Sequence, residues 1–196
     1  MLGAAGWTQS AHAAVGTATG LQFGPEQPFS YELLKNRARD LAAKPYSAPP
    51  RPDPSIVARI DYDAHGKLRF RKNFALYRDG AYPISFQHVG MYFPKTVRMN
   101  AIDGETAREV LYDPGLFTIT EDHVAAGLAP QPSAFAGFWV HEPPSKGPLD
   151  KVEPWATFLG ASYFRGVGEL GQVGLSARGI ALDPGGAQPE EFPDFT

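Results

Sequence analysis

The stretch from Phe158 to Asp183 concentrates glycine, aromatic and arginine residues, and two of its segments imitate catalytic motifs. Gly166-Val-Gly-Glu-Leu-Gly171 spells G-x-G-x-x-G. That motif binds a dinucleotide only when its glycines open a helix whose N-terminus faces the pyrophosphate. Here Gln-Val-Gly and a strand-like segment follow, which predicts a glycine-rich hairpin loop instead. Gly174-Leu-Ser-Ala-Arg178 approaches a nucleophile elbow, but Arg178 stands where the second glycine belongs and no strand-turn-helix context surrounds it. Ser176 therefore reads as a strand serine. Asp61, Asp63 and His65 alternate and could hold a divalent ion from one strand face, but position 65 falls in a predicted turn that breaks the face. A solvated polar edge is the simpler reading. His88, His123 and His141 stand singly and read as satisfied or exposed histidines. Glycoside cleavage needs two carboxyl groups flanking one bond. Glu142, Glu153, Glu169 and Asp183 are available, and no spacing selects a pair. No residue is assigned to catalysis or to a metal, and no cofactor is implied.

The aromatic residues point elsewhere. Trp139, Trp155, Tyr163 and Phe164 lie beside glycine-rich loops. Aromatic planes stack on the apolar C–H faces of sugar rings, while arginine bonds the hydroxyls. In Tyr163-Phe-Arg165, strand alternation sends Tyr163 and Arg165 to one face and Phe164 to the other. Phe164 then belongs to the core. Tyr163, Arg165 and Trp155 are the candidate substrate-binding residues; the competing reading makes Tyr163 and Arg165 the rim of a sheet.

The elements that must position them are mostly short strands. The chain has 196 residues, 43% hydrophobic, enough for one core. Gly 21 and Pro 19 suit many strands joined by turns. A net charge of -3 without a basic stripe gives no argument for nucleic acid, and no segment approaches the ~18 apolar residues of a membrane span. Without cysteine, thiol catalysis, disulfides and Cys-type zinc sites are excluded. Met1 to Val15 carries Ala11-His-Ala13, which fits a signal-peptidase site, after a short apolar run with no basic residue. Residues 1–28 thus read as a residual signal peptide and linker.

Ser30 is placed to cap a helix running to about Ala43, with Tyr31, Leu34, Ala38, Leu41 and Ala42 in an apolar stripe. The proline-rich strap Ala48–Pro54 leads to Asp53-Pro54, an N-cap followed by Pro at N1. Arg59–Asp63 and Leu68–Arg71 alternate about a turn and predict a hairpin. Further strands are predicted at Ile84–Val89, Val97–Ile102, Ala107–Tyr112, Phe138–His141, Ala161–Gly166 and Leu175–Leu182, with Asp103-Gly104 as a hairpin turn. Residues 125–133 and 143–154 read as long loops. The fold class is mainly β, an antiparallel β-sandwich with one N-terminal helix.

An ordered series of segments then resembles the N-terminal part of the periplasmic glucan biosynthesis family OpgG/OpgD, also called MdoG/MdoD. It comprises Leu41–Tyr46 leading into Pro49–Pro52, Ala58–Asp63, Glu109–Asp113, Ala134–Phe138, Phe158–Arg165, Gly174–Gly179 and Glu190–Pro193. The resemblance covers residues 29–196 and implies a domain of that extent. It implies a periplasmic protein of osmoregulated glucan metabolism, acting on β-1,2-glucan with β-1,6 branches. The implied fold is a galactose-mutarotase-like supersandwich, incomplete here, with a carbohydrate cleft. It also implies a β-glucan polysaccharide and an inner-membrane glucan synthase as partners. Some family members resemble endo-β-1,2-glucanases, and the acids associated with cleavage would lie beyond Thr196. The chain is accordingly expected to bind glucan without cleaving it. A stand-alone glucan-binding module and an active glycosidase remain the alternative readings.

Overall fold

Ser30 opens the first helix as its chemistry predicts. In the computed structural model, which describes residues 20–160, 163–168, 170–188 and 193–195, α1 spans Tyr31–Ala42. The Ser30 Oγ accepts the Leu33 N–H at 3.1 Å, satisfying one orphan donor of the first turn. Asp53 does the same for α2, Pro54–Val57, accepting the Ser55 N–H at 2.8 Å. The N-terminal residues 1–19, which carry the predicted cleavage site, lie outside the described residues.

The segment 59–71 departs from the predicted hairpin. Asp61 turns its carboxylate onto the Ala64 N–H at 2.9 Å and caps a third helix, α3, Tyr62–Lys67. Period-two alternation over five residues is a weak signal, and a good N-cap overrides it. Asp61, Asp63 and His65 consequently do not share a strand face. Among the described residues no group of three His, Asp or Glu is placed to hold a metal.

Eleven short strands are described: β1 (Gln22–Phe23), β2 (Gln27–Pro28), β3 (Arg69–Phe70), β4 (Ile84–His88), β5 (Asn100–Asp103), β6 (Thr106–Leu111), β7 (Phe117–Thr118), β8 (Phe135–His141), β9 (Pro154–Leu159), β10 (Tyr163–Val167) and β11 (Val173–Arg178). Their pairings are antiparallel. β6 pairs with β5 on one edge and with β1 and β2 on the other, β3 pairs with β7, and a five-stranded sheet runs β11-β10-β9-β8-β4. β5 and β6 meet at Asp103-Gly104-Glu105-Thr106, with Gly104 at φ +55°, a conformation that favours glycine at the turn. The predicted strands at 97–102 and 175–182 prove shorter, and the loop 143–154 ends where β9 begins, at Pro154.

The five-stranded sheet sets the rest. One register row reads Phe86, Phe138, Phe158, Phe164, Ala177 across β4, β8, β9, β10 and β11. Four successive phenylalanines make this face apolar. Phe86 and Phe158 belong to a core that also takes in Val97, Met99, Val110, Tyr112, Phe117 and Phe135 from neighbouring elements. Residues one step along each strand point to the opposite face.

Candidate functional site

The opposite face of the sheet is built from two register rows. Ser85, Trp139, Thr157, Arg165 and Ser176 form one, and Gln87, Gly137, Leu159, Tyr163 and Arg178 form the other. Residues as far apart in the chain as Ser85 and Trp139, or Gln87 and Gly137, thus lie side by side. A cleft of about 550 Å³ opens over this face, within the size range of small-ligand sites. Trp139, Tyr163, Arg165 and Arg178 line it together with Gln87 and His65.

Tyr163 and Arg165, predicted from alternation to share a face, both line this cleft. The Arg178 guanidinium sits over the Tyr163 ring at 5.7 Å, a cation–π contact that orients both groups. Trp155 is not brought into the cleft. Alternation along β9 puts it on the same sheet face as Thr157, but its ring meets Tyr82 edge-on at 5.8 Å, away from the cleft lining. Phe164 was predicted to be core. Its ring does pack against Phe158, tilted by 48° at 4.8 Å, yet it remains 49% exposed. Ser176 is a strand residue opposite Arg165, and among the described residues no helix lies between Gly166 and β11, so both motif imitations resolve as their context predicts. Glu169 lies outside the described residues.

The cleft floor has a fixed hydrogen-bond pattern. Gln87 Nε2 donates to Thr157 Oγ1 at 2.7 Å and approaches the carbonyl oxygens of Phe138 and Phe158 at 3.3 Å each. Thr157 Oγ1 in turn donates to the Phe138 carbonyl at 3.2 Å. On the cleft wall, His65 Nε2 donates to the His88 carbonyl at 2.9 Å, and its ring stands edge-on to Phe93 at 4.7 Å. Burial lowers the His65 pKa; the His88 hydrogen bond opposes this and the nearby His123 adds to it. The ring is thereby favoured in its neutral form, with the proton on Nε2.

The remaining described histidines, His88, His141 and His123, are structural. His88 is buried between the Val89 carbonyl and the Tyr112 hydroxyl, and burial drives its pKa down to about 4. His141 is buried with Nε2 at 2.7 Å from Ser85 Oγ. Burial, then the Lys72 charge, lowers its pKa to about 4 as well. Its Nδ1 has no hydrogen bond of acceptable geometry, although the Val152 backbone is close enough to oppose the shift. His123 is satisfied by the Ala64 carbonyl and the Ala125 N–H.

Sequence reasoning had no means of finding Gln87 or Thr157. Each lies in a strand of ordinary composition, and only the register across β4, β8 and β9 brings them together.

Residues 29–196 match the family described as "Periplasmic glucan biosynthesis protein, MdoG". The chain belongs to the MdoG family. It is 45% identical over 185 residues to "Glucans biosynthesis protein D 2" of Ralstonia nicotianae, covering 91% of this chain and 34% of the relative. It is 42% identical over 180 residues to "Glucans biosynthesis protein D" of Xylella fastidiosa, strain M12 (89% and 32%). It is 40% identical over 177 residues to the protein of the same name from Stenotrophomonas maltophilia, strain K279a (89% and 32%). The chain therefore spans about a third of the length of the MdoG-family relatives it matches. Among the described residues no helix is long and apolar enough to cross a membrane.

Proposed function

We propose that this chain supplies a glucan-recognition face of a periplasmic glucan biosynthesis protein, with the cleft over the five-stranded sheet as the site. The carrying observation is the register that sets Trp139, Tyr163, Arg165 and Arg178 on one concave surface. Trp139 and Tyr163 offer planes for sugar C–H faces. The guanidiniums of Arg165 and Arg178 offer forked N–H donors for ring hydroxyls. The ligand class that fits both the chemistry and the family is a β-linked glucan, β-1,2-linked in its backbone. The fold reading that accompanies this is the N-terminal portion of a carbohydrate-cleft β-sandwich of the supersandwich type, working in the periplasm. The described lining comprises aromatic, imidazole, aliphatic, amide, hydroxyl and guanidinium groups, and this mixture of planes and hydrogen-bonding groups supports glucan recognition as the role of this segment.

Titration calorimetry of the purified chain with linear β-1,2-glucooligosaccharides tests the proposal. Binding is expected for the chain as it stands. Trp139→Ala is expected to weaken it by tenfold or more, on the order of the 1–3 kcal/mol that a stacking aromatic contributes at a binding site. No binding, or binding that Trp139→Ala leaves unchanged, contradicts it.

A further inference from the structure

We infer that Gln87 is a specificity-determining residue of this cleft, presenting its side-chain carbonyl as a fixed acceptor for one ligand hydroxyl. The inference rests on the glucan-recognition reading of the cleft.

The orientation of the amide is decided by its surroundings. An Asn or Gln side chain has one acceptor end and one donor end, and its hydrogen bonds determine which way it points. Around one end of the Gln87 amide lie three acceptors: the Phe138 carbonyl, the Phe158 carbonyl and Thr157 Oγ1. The threonine hydroxyl is itself committed, since it gives its own proton to the Phe138 carbonyl. A flipped amide would set its oxygen against all three. The NH₂ group therefore faces the strands and Oε1 faces away from them. Gln87 as a residue is buried yet lines the cleft. No hydrogen bond is made to its Oε1 among the described residues.

The backbone helps to hold this arrangement. Gly137 is the register neighbour of Gln87 on β8 and of Leu159 on β9. A Cβ at position 137 would collide with the Phe158 carbonyl oxygen and crowd Leu159 Cα. Glycine there lets β9 approach closely and leaves that carbonyl available to the amide.

The result is an oriented amide acceptor on a surface whose charged groups, Arg165 and Arg178, only donate. The two guanidiniums satisfy ligand oxygens. Gln87 Oε1 is satisfied only by a ligand N–H or O–H. A glucan hydroxyl supplies this, and a ligand carrying an ether at the same position leaves the acceptor desolvated without a partner. Such mismatches are the ones that polar sites reject most strongly.

Calorimetry with linear β-1,2-glucooligosaccharides, and with derivatives methylated at one hydroxyl position at a time, tests this. One methyl ether is expected to weaken binding to the unsubstituted chain by about tenfold, and the same ether is expected to cost Gln87→Met nothing further. Thr157→Val keeps Gln87 but removes the nearest of the three acceptors that orient its amide, and is expected to reduce the discrimination between the parent sugar and that ether. The ligand series on the unsubstituted chain stands alone should either variant fail to fold. Tolerance of every single ether, or an ether penalty that Gln87→Met leaves intact, overturns the role of Gln87 while leaving the cleft as the glucan site. Absence of binding by the unsubstituted chain overturns both.

Discussion

The two halves of the five-stranded sheet carry the same residue pattern in different surroundings. In the β4–β8–β9 half, Phe86 and Phe158 are 1% and 6% exposed. In the β10–β11 half, Phe164 is 49% exposed and Leu175 is 78% exposed. All belong to paired strands. What differs is whether another layer lies over the apolar face: Val97, Met99, Val110 and Phe117 share the core with Phe86 and Phe158. Strand pairing and alternation thus build the cleft across the whole sheet, while packing holds only one half of it firmly. The floor of the cleft, Gln87 and Thr157, stands on the packed half. Tyr163, Arg165 and Arg178 stand on the other.

A pair of truncations gives the largest expected contrast. Phe158→Ala empties a packed site and is expected to destabilise the chain by about 3 kcal/mol or more. Phe164→Ala, one register step away, removes a half-exposed ring and is expected to cost about 1 kcal/mol. Urea unfolding of both variants checks this, and equal costs would erase the distinction between the halves.

Acid sharpens the comparison, because both strongly shifted histidines belong to the packed half. His88 on β4 and His141 on β8 have pKa values near 4 in the fold, below the ordinary value near 6.5. A depressed folded value means that the unfolded chain binds protons first. Their contribution to stability is complete above about pH 6.5 and is lost as pH falls from there through 4. Equilibrium unfolding across that window is expected to show stability falling with acidification, with His88→Gln or His141→Gln reducing the slope. A flat profile would mean that neither ring is held neutral by burial.

A smaller effect is expected where the C-terminal segment is tied down. Asp194 receives the Tyr46 hydroxyl and Arg51, each at 2.5 Å, and Lys95 at 3.4 Å. Burial alone would raise its pKa, but the hydroxyl and the two cations outweigh burial and hold it below the usual carboxylate range. Next to it, Phe195 pairs with Val97 and stands edge-on to Phe158 at 5.1 Å. Asp194→Asn is expected to cost about 1 kcal/mol, since these cations are partly exposed and screened by solvent. The loss should shrink in high salt, and a salt-independent loss would assign the effect to packing instead.

The sequence foretold those features whose cause is local. Ser30 and Asp53-Pro54 mark helix starts because a cap satisfies neighbouring N–H groups, and Asp103-Gly104 marks a hairpin because the turn needs a positive φ. Tyr163 and Arg165 were placed on one face by the two-residue period alone. The same local logic misread 59–71, where alternation suggested a strand and the Asp61 carboxylate instead captured Ala64. It read α1 correctly as a helix but could not show that Tyr31, Leu33, Leu34 and Leu41 would be about half exposed or more. Trp155 falls outside the cleft lining and Phe164 stays half-exposed for a related reason. Their faces follow from alternation, but what covers those faces is set by residues distant in the chain. The pairing of Gln87 with Thr157 is the extreme case, since it exists only through the register of three strands.

The cleft itself is tested most directly by a ¹⁵N-resolved NMR titration of the chain with a linear β-1,2-glucooligosaccharide. Perturbations are expected to concentrate on Gln87, Trp139, Thr157, Tyr163, Arg165 and Arg178, with both halves of the sheet responding on that face. Perturbations centred on the exposed face of α1, or on Trp155 and Tyr82 with the cleft residues unmoved, would contradict the account.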